Sequence, residues 1–387
     1  MNLFEKVMAD NQLRHQRLEE GKLNCIPFPF NRSRKVYPGV EQGKYLIITA
    51  SQKVGKSKLA DFLFVYEPLF YMMNHPELKV KVIYFTLEMT ADEKMNEFLC
   101  HLLFRLDKIR ISTRELRGVD RKCDPKIKQL LMSDRYQKYI NAYLKMVTFN
   151  DSDKNPTGIR NGYKKYALSH GHENWIRPPK KDSTTGMAID NGEINAIEPY
   201  TPDDPEEYVI VIVDNAANIT TEVNYEQQRA AIEKVSKDGV RYARNRYKYI
   251  FVLIQHQAQS QEGIENIKLG RMRPTSDGLG DNKTTTRDMN CIIGLYNPYK
   301  FIKEMKNPIY EGYDISRLKG YCRFLEFIED RDYGAGGSQI GLFFDGATST
   351  FNELPPRDDI AGLEKVYKYI EKLEDEKYNP LELTNPT

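Results

Sequence analysis

The sequence is short of several things, and each shortage removes a class of protein. No apolar run is long enough to span a bilayer, so no membrane partner is expected. The amino terminus, MNLFEKVMADNQLRHQRLEEG, is charged and amphipathic and lacks the apolar centre of a secretory signal. The five cysteines, Cys25, Cys100, Cys123, Cys291 and Cys322, are widely scattered, and no pair has zinc-like spacing. Reduced thiols in a cytoplasmic protein are the plain expectation. An excess of one charge is missing too: 57 basic against 55 acidic side chains leave +2. That balance does not argue for a nucleic-acid protein, but a channel needs only local positive charge.

What is present is a large core. Of 387 residues, 40% are hydrophobic, enough for two domains or one large α/β domain with insertions. Apolar strands alternate with helical patterns, which predicts a mostly parallel central sheet flanked by helices. The strands are expected at Tyr45–Thr49, Val80–Thr86, Met146–Phe149, Tyr208–Val213, Tyr249–Ile254, Cys291–Tyr296, Cys322–Glu329 and Gln339–Phe344. Helical spacing marks Ala91–Leu106, Lys126–Leu144 and Glu226–Arg246. The division expected is a helix over 1–22, a Pro-rich tether over 23–43, an α/β core over 44–355, and a helix with a frayed tail over 356–387. Within the core, 171–207 reads as a polar surface insertion. The single tryptophan, Trp175, sits there, either as a loop anchor or as a stacking site for nucleic acid.

The richest stretch is KYLIITASQKVGKSK, Lys44 to Lys58. A strand runs into a short loop that closes on Gly55-Lys56-Ser57 and becomes an apolar helix. Such a loop wraps backbone N–H groups around nucleotide phosphates. The candidate phosphate-binding residues are Ala50, Ser51, Gln52, Lys53, Val54, Gly55, Lys56, Ser57 and Lys58. Lys56 would reach the β and γ phosphates of ATP, and the Ser57 hydroxyl would hold Mg²⁺. The pattern GxxxxGK[ST] begins with Gly, and here Ala50 stands first. Its Cβ costs little at negative φ and roughly 1–2 kcal/mol in the left-handed region. The bland alternative is a chance strand, turn and helix.

A phosphate loop needs partners at the carboxyl ends of neighbouring strands. YVIVIVD ends in Asp214, a candidate Mg²⁺ ligand. VIYFTLEMT carries Glu88, which would activate water or else stabilise a helix amino terminus. YIFVLIQHQAQ has a strand ending in Gln255, which would sense the γ phosphate or else merely cap the strand, beside His256, which reads as a hydrogen-bonded or solvent-facing residue. FLEFIEDRDYG places Arg331 just beyond a strand, as an arginine finger or as half of a local ion pair with Asp330 or Asp332.

In this order the pieces resemble the RecA-like motor domain of DnaB-type replicative helicases. ASQKVGKS, FTLEMT, Ile212-Val213-Asp214 and Ile254-Gln255-His256 match the family's A-R-P-x-x-G-K-[ST], F-S-L-E-M-S, V-I-D and S-Q-L motifs. RPTSDGLGDNKTTTRDMN loosely matches its R-P-x-x-S-D-L segment, and Glu329 to Gly334 its K-Q-R-N-G, with Glu329 where the family has Lys. The resemblance covers about residues 35 to 350 and has no counterpart for 171–207. It implies a RecA-like P-loop NTPase that hydrolyses ATP with Mg²⁺, with Lys56, Glu88, Gln255 and Arg331 as the catalytic set. It also implies a homo-hexameric ring that unwinds duplex by walking 5′ to 3′ on single-stranded DNA. Lys268, Arg271, Arg273, Lys283 and Arg287 are the expected DNA contacts, with Gly278 and Gly280 allowing close backbone approach. A primase or a helicase loader is a possible partner, although the family's primase-docking domain has no room here. A stripped-down motor of this kind suits a phage working in a host cytoplasm. The rivals are a RecA-like recombination or annealing ATPase that forms filaments, and a nucleotide-binding loading or regulatory factor that hydrolyses weakly.

Overall fold

Runs such as Leu46-Ile47-Ile48 and Val209 to Val213 have no polar face to offer water, and every one of these side chains is buried. They belong in the middle of a sheet covered on both sides. The computed structural model of the chain describes residues 2–119, 122–175, 180–187, 189, 200–258, 266, 272–305 and 307–378. Its central sheet has nine strands. In chain order they are β1 (Tyr45–Ala50), β2 (Lys79–Thr86), β3 (Val147–Asn150), β4 (Glu207–Asp214), β5 (Ile250–His256), β6 (Cys291–Tyr296), β7 (Cys322–Asp330), β8 (Gln339–Asp345) and β9 (Thr350–Glu353). Across the sheet the order is β9-β8-β7-β6-β1-β5-β4-β2-β3. From β6 to β3 all neighbours are parallel. β7, β8 and β9 extend the other edge antiparallel. β1 lies inside the parallel part, so the loop after it opens among the carboxyl ends of β5, β4 and β2.

Helices around and beside the sheet include α1 (Leu3–Glu19), α2 (Lys56–Asp61), α3 (Glu67–Asn74), α4 (Ala91–Asp107), α5 (Asp134–Met146), α6 (Pro156–Ser169), α7 (Gln228–Asp238) and α8 (Ile360–Tyr378). Side chains alternate across the sheet. Leu46 and Ile48 join Leu59, Leu69, Phe98, Leu102 and Tyr136 on the face covered by α2 to α5. Tyr45 and Ile47 join Ile159, Tyr163, Ile232 and Val235 on the face covered by α6 and α7. α8 packs Leu363, Tyr367, Ile370 and Leu373 against Phe324 and Phe343 beside the antiparallel edge. Among the described residues no helix is long and apolar enough to cross a membrane.

Several expectations change. The helix expected over Lys126–Leu144 is two, Pro125–Leu131 and α5, because Ser133 takes an extended N-cap conformation between them. The segment 23–43 is no tether. Ile26–Pro27 pairs with Gly39–Val40, and Phe28, Phe30 and Tyr37 are buried, with Tyr37 stacked 4.8 Å from Phe327. Burying each such ring contributes about 1.5–3 kcal/mol, which ties the segment to the core. α1 is the reverse. It carries a full capping box at Asn2 and Glu5 but buries none of its residues. Leu3, Phe4, Met8, Leu13 and Leu18 are each more than half exposed. Its carboxyl end alone is held, by Arg17 on Glu206 and Leu23 O and by Arg14 on Glu41. At the insertion, Gly171–Glu173 pairs with Tyr200–Pro202, and Trp175 packs against the Arg246 guanidinium at 5.5 Å, a loop-anchoring contact.

Candidate nucleotide-binding site

Ala50 is the last residue of β1, so its Cβ costs nothing. The left-handed positions of the loop are Lys53 (φ 59°) and Gly55 (φ 108°). A Cβ on Gly55 would also stand 3.2 Å from the Phe344 ring. The antiparallel edge supports the loop: Arg323 Nε donates to Val54 O at 2.7 Å, with its guanidinium over Phe344 at 4.8 Å. Burial lowers the Arg323 pKa to about 10, which still leaves it charged at neutral pH. α2 starts at Lys56, so its amino terminus, the positive end of the helix dipole, adjoins the loop. Lys56 Nζ donates to Ser51 O at 3.0 Å and meets His256 Nδ1 at 2.8 Å. Burial, then the Lys56 charge, lowers the His256 pKa to about 4, so its imidazole is neutral and accepts from Lys56 at Nδ1.

Ser57 Oγ donates to Asp214 Oδ1 at 2.9 Å. The other oxygen, Oδ2, accepts from the Tyr84 hydroxyl at 3.1 Å and from Lys94 Nζ at 3.2 Å. Lys94 also donates to Asp61 at 2.9 Å, and all four groups are at least 98% buried. Burial raises the Asp61 pKa to about 6. Burial opposes the Lys94 charge, but Asp61 and Asp214 outweigh it and hold the ammonium above its usual range. A hydroxyl beside a carboxylate is the hard-oxygen donor set that Mg²⁺ takes when phosphate oxygens and water complete its shell. Among the described residues no cluster of three or more His, Cys, Asp or Glu forms a protein-only metal cage.

Glu88 joins the same place. β2 and β4 are in register at Thr86 and Asp214, Leu87 N donates to Asp214 O at 2.7 Å, and Asn215 Nδ2 donates to Glu88 Oε2 at 2.5 Å. The amino terminus of α4 is capped by Thr90 and Glu93, so the helix does not need Glu88 for that purpose. Gly55, Lys56, Ser57, Glu88, Asn215 and His256 line one open cleft of about 320 Å³. Lys58 is taken up by Glu97 at 2.8 Å and by Gly346 O and Ser349.

The remaining candidates lie elsewhere. Gln255 faces away from the loop: its amide bonds Leu279 O at 3.4 Å and Thr285 Oγ1 at 3.0 Å in the 3₁₀ segment Asp277–Arg287. Strand alternation gives the inward position to His256, read from the sequence as hydrogen-bonded or solvent-facing and here hydrogen-bonded to Lys56. Arg331 is exposed and remote. Asp330 is level with Cys291, and Cys291 with Leu46, so Arg331, one residue further, stands level with the start of β1, roughly 16 Å along the strand from Ala50. Asp330 is spent on the backbone N–H groups of Asp332, Tyr333 and Ala335, and Asp332 on Lys44, so neither forms the local pair considered for Arg331. Arg273 pairs with Glu326 at 2.6 Å. Lys268 and Arg271 lie outside the described residues, as does the Lys283 side chain, while Arg287 is exposed at the end of its segment. Gly278 serves a close approach within the chain, since a Cβ there would fall 1.8 Å from Gln257 Oε1.

No protein-family model matches the chain. No curated protein matches it in sequence. Solved structures do match in shape. One, described as an ATPase domain, superposes with a TM-score of 0.58 at 13% identity, over 90% of this chain and 99% of that one. A DnaB-like replicative helicase, described with its interactions with primase, superposes with a TM-score of 0.60 at 13% identity, over 92% of this chain and 67% of that one. The chain shares the RecA-like fold of these two structures. In this frame the phosphate-loop sequence, Asp214 and Glu88 stand at adjoining strand ends.

Proposed function

We propose that the chain is an ATP-hydrolysing DNA motor: a replicative-type helicase that works as a ring, on the pattern of a hexamer, and pulls single-stranded DNA through its centre. The observation that carries this reading is the convergence of Lys56, Ser57 and Glu88 on one cleft of a RecA-like fold, with Asp214 buried directly behind Ser57. Lys56 and the α2 amino terminus hold the phosphates, and Glu88, oriented by Asn215, takes a proton from the attacking water. Ser57 and Asp214 would hold Mg²⁺, which supplies charge neutralisation to the phosphates when bound. Arg331 faces away from its own loop, which suits donation to the nucleotide of a neighbouring copy across a head-to-tail contact. The exposed apolar residues of α1 suit docking on that neighbour. His256 on Lys56 and Gln255 on the 277–287 segment are consecutive residues of one strand, which suits passing the phosphate state to a DNA-gripping loop bearing Lys283 and Arg287. Lys268 and Arg271 would join that grip.

Strand displacement on forked DNA tests the proposal. ATP-dependent unwinding by the chain, absent from Lys56→Ala, is expected; no unwinding across ATP and Mg²⁺ concentrations would contradict it. Glu329, where the resembled family has Lys, favours a second reading as a loading or regulatory factor with weak turnover. DNA-independent hydrolysis that Glu88→Gln leaves unchanged would favour that second reading. Closed rings against open filaments on single-stranded DNA, seen by electron microscopy, separate a helicase from a recombination or annealing ATPase. A primase or loader partner is tested by co-purification with the ring.

A further inference from the structure

Lysine is almost never fully buried unless it is paired, and Lys94 is only 2% exposed. Its three ammonium donors meet three acceptors: Asp61 Oδ2 and the Tyr84 hydroxyl at 2.9 Å each, and Asp214 Oδ2 at 3.2 Å. The Tyr84 hydroxyl, in turn, donates to that same Asp214 oxygen. One carboxylate oxygen is thereby fixed from behind, while Oδ1 is left facing Ser57. The terminal torsion of an aspartate is broad, so the carboxylate plane has to be set by what holds it.

We infer that Lys94 is a positioning residue for Asp214: with Asp61 and Tyr84 it holds the inner oxygen so that the outer one, beside Ser57, is presented to a divalent cation. This deepens the nucleotide-site reading and rests on it. Lys94 belongs to α4, the helix entered directly from Glu88, so the same ammonium ties the water-activating loop to the cation ligand and, through Asp61, to α2. Asp61 and Lys94 carry opposite charges. Their joint removal therefore leaves the charge of Asp214 in place and takes away only its support. Groups of this kind behind a metal ligand change cation affinity by roughly 10–100-fold when removed.

The test is binding of a fluorescent ADP analogue, which involves no turnover, followed across a Mg²⁺ titration and in EDTA. For Asp61→Asn/Lys94→Met the half-saturating Mg²⁺ is expected to rise roughly tenfold or more, with affinity in EDTA equal to wild type. A purely structural role would weaken binding equally with and without Mg²⁺, and a Mg²⁺ curve superimposable on wild type would also overturn the inference. If the double variant does not fold, Tyr84→Phe decides. It removes one hydroxyl and should move the Mg²⁺ curve the same way by a smaller factor; an unmoved curve overturns the inference. Wild-type protein that fails to bind the analogue at all would sink the nucleotide site itself. Wild-type binding with unmoved variants sinks only the role of Lys94.

Discussion

The two ends of the central sheet differ in how complete they are. Where the parallel strands finish, the polar groups close on one another: Lys56 on His256, Ser57 on Asp214, Asp214 on Tyr84 and Lys94, Glu88 on Asn215. Where those strands begin, Arg331 stands exposed at the end of β7, and α1 shows its apolar residues to water. The first end is a connected polar network. The second presents parts that its own nucleotide cannot use, because Arg331 stands near the opposite end of β1 from the loop. An exposed arginine at this end is the placement that the proposed head-to-tail assembly would require.

Substitutions at each end test this contrast, beginning with the largest expected effect. Lys56→Ala should abolish nucleotide binding, measured with a fluorescent ATP analogue, because the α2 amino terminus alone cannot replace a buried ammonium on the phosphates. Glu88→Gln should keep binding and lower turnover roughly 10²–10⁴-fold, as expected for loss of a general base. Arg331→Ala should keep binding and lower turnover roughly a hundredfold, in proportion to one transition-state donor. Equal loss of binding in Arg331→Ala would mean that the two ends are not separate. Leu3→Ser/Phe4→Ser should lower the assembled mass in light scattering and change protomer stability by less than about 0.5 kcal/mol, because both side chains are exposed.

The smallest effect on turnover, and a distinct effect on stability, belongs to His101. It is fully buried, stacked on Tyr66 at 4.5 Å, and burial lowers its pKa to about 3. The unfolded chain binds this proton at higher pH than the folded one. Stability is therefore full above about pH 6.5 and falls towards pH 3, by up to about 1.4 kcal/mol per pH unit from this group. Urea unfolding at pH 7 and pH 5 should show a smaller acid loss in His101→Phe than in wild type.

Much of the sheet was legible because strands buried on both faces are written as unbroken apolar runs. All eight expected strands are present, most within a residue or two of their expected ends. β9 escaped because its four residues are held as an edge on β8 and carry little pattern of their own. α6 was passed over although Asn155 and Pro156 spell an N-cap and a first helical residue. Lys56, Ser57, Asp214 and Glu88 were readable because each belongs to a local motif at a strand end. Gln255 was chosen over His256 because a motif names a string, while a strand turns consecutive side chains to opposite faces. Arg273 read as a free cation because its partner, Glu326, is distant in sequence. Asp61, Tyr84 and Lys94 come from three separate elements and meet only in space.

Mixing inactive proteins tests most directly whether one chain supplies the phosphate grip and another the arginine. Lys56→Ala and Arg331→Ala should each hydrolyse ATP poorly alone. Together they should recover turnover well above either parent, through interfaces that pair an intact Lys56 with an intact Arg331. A mixture as inactive as its parents, or an Arg331→Ala protein with wild-type turnover, would contradict a site shared between copies.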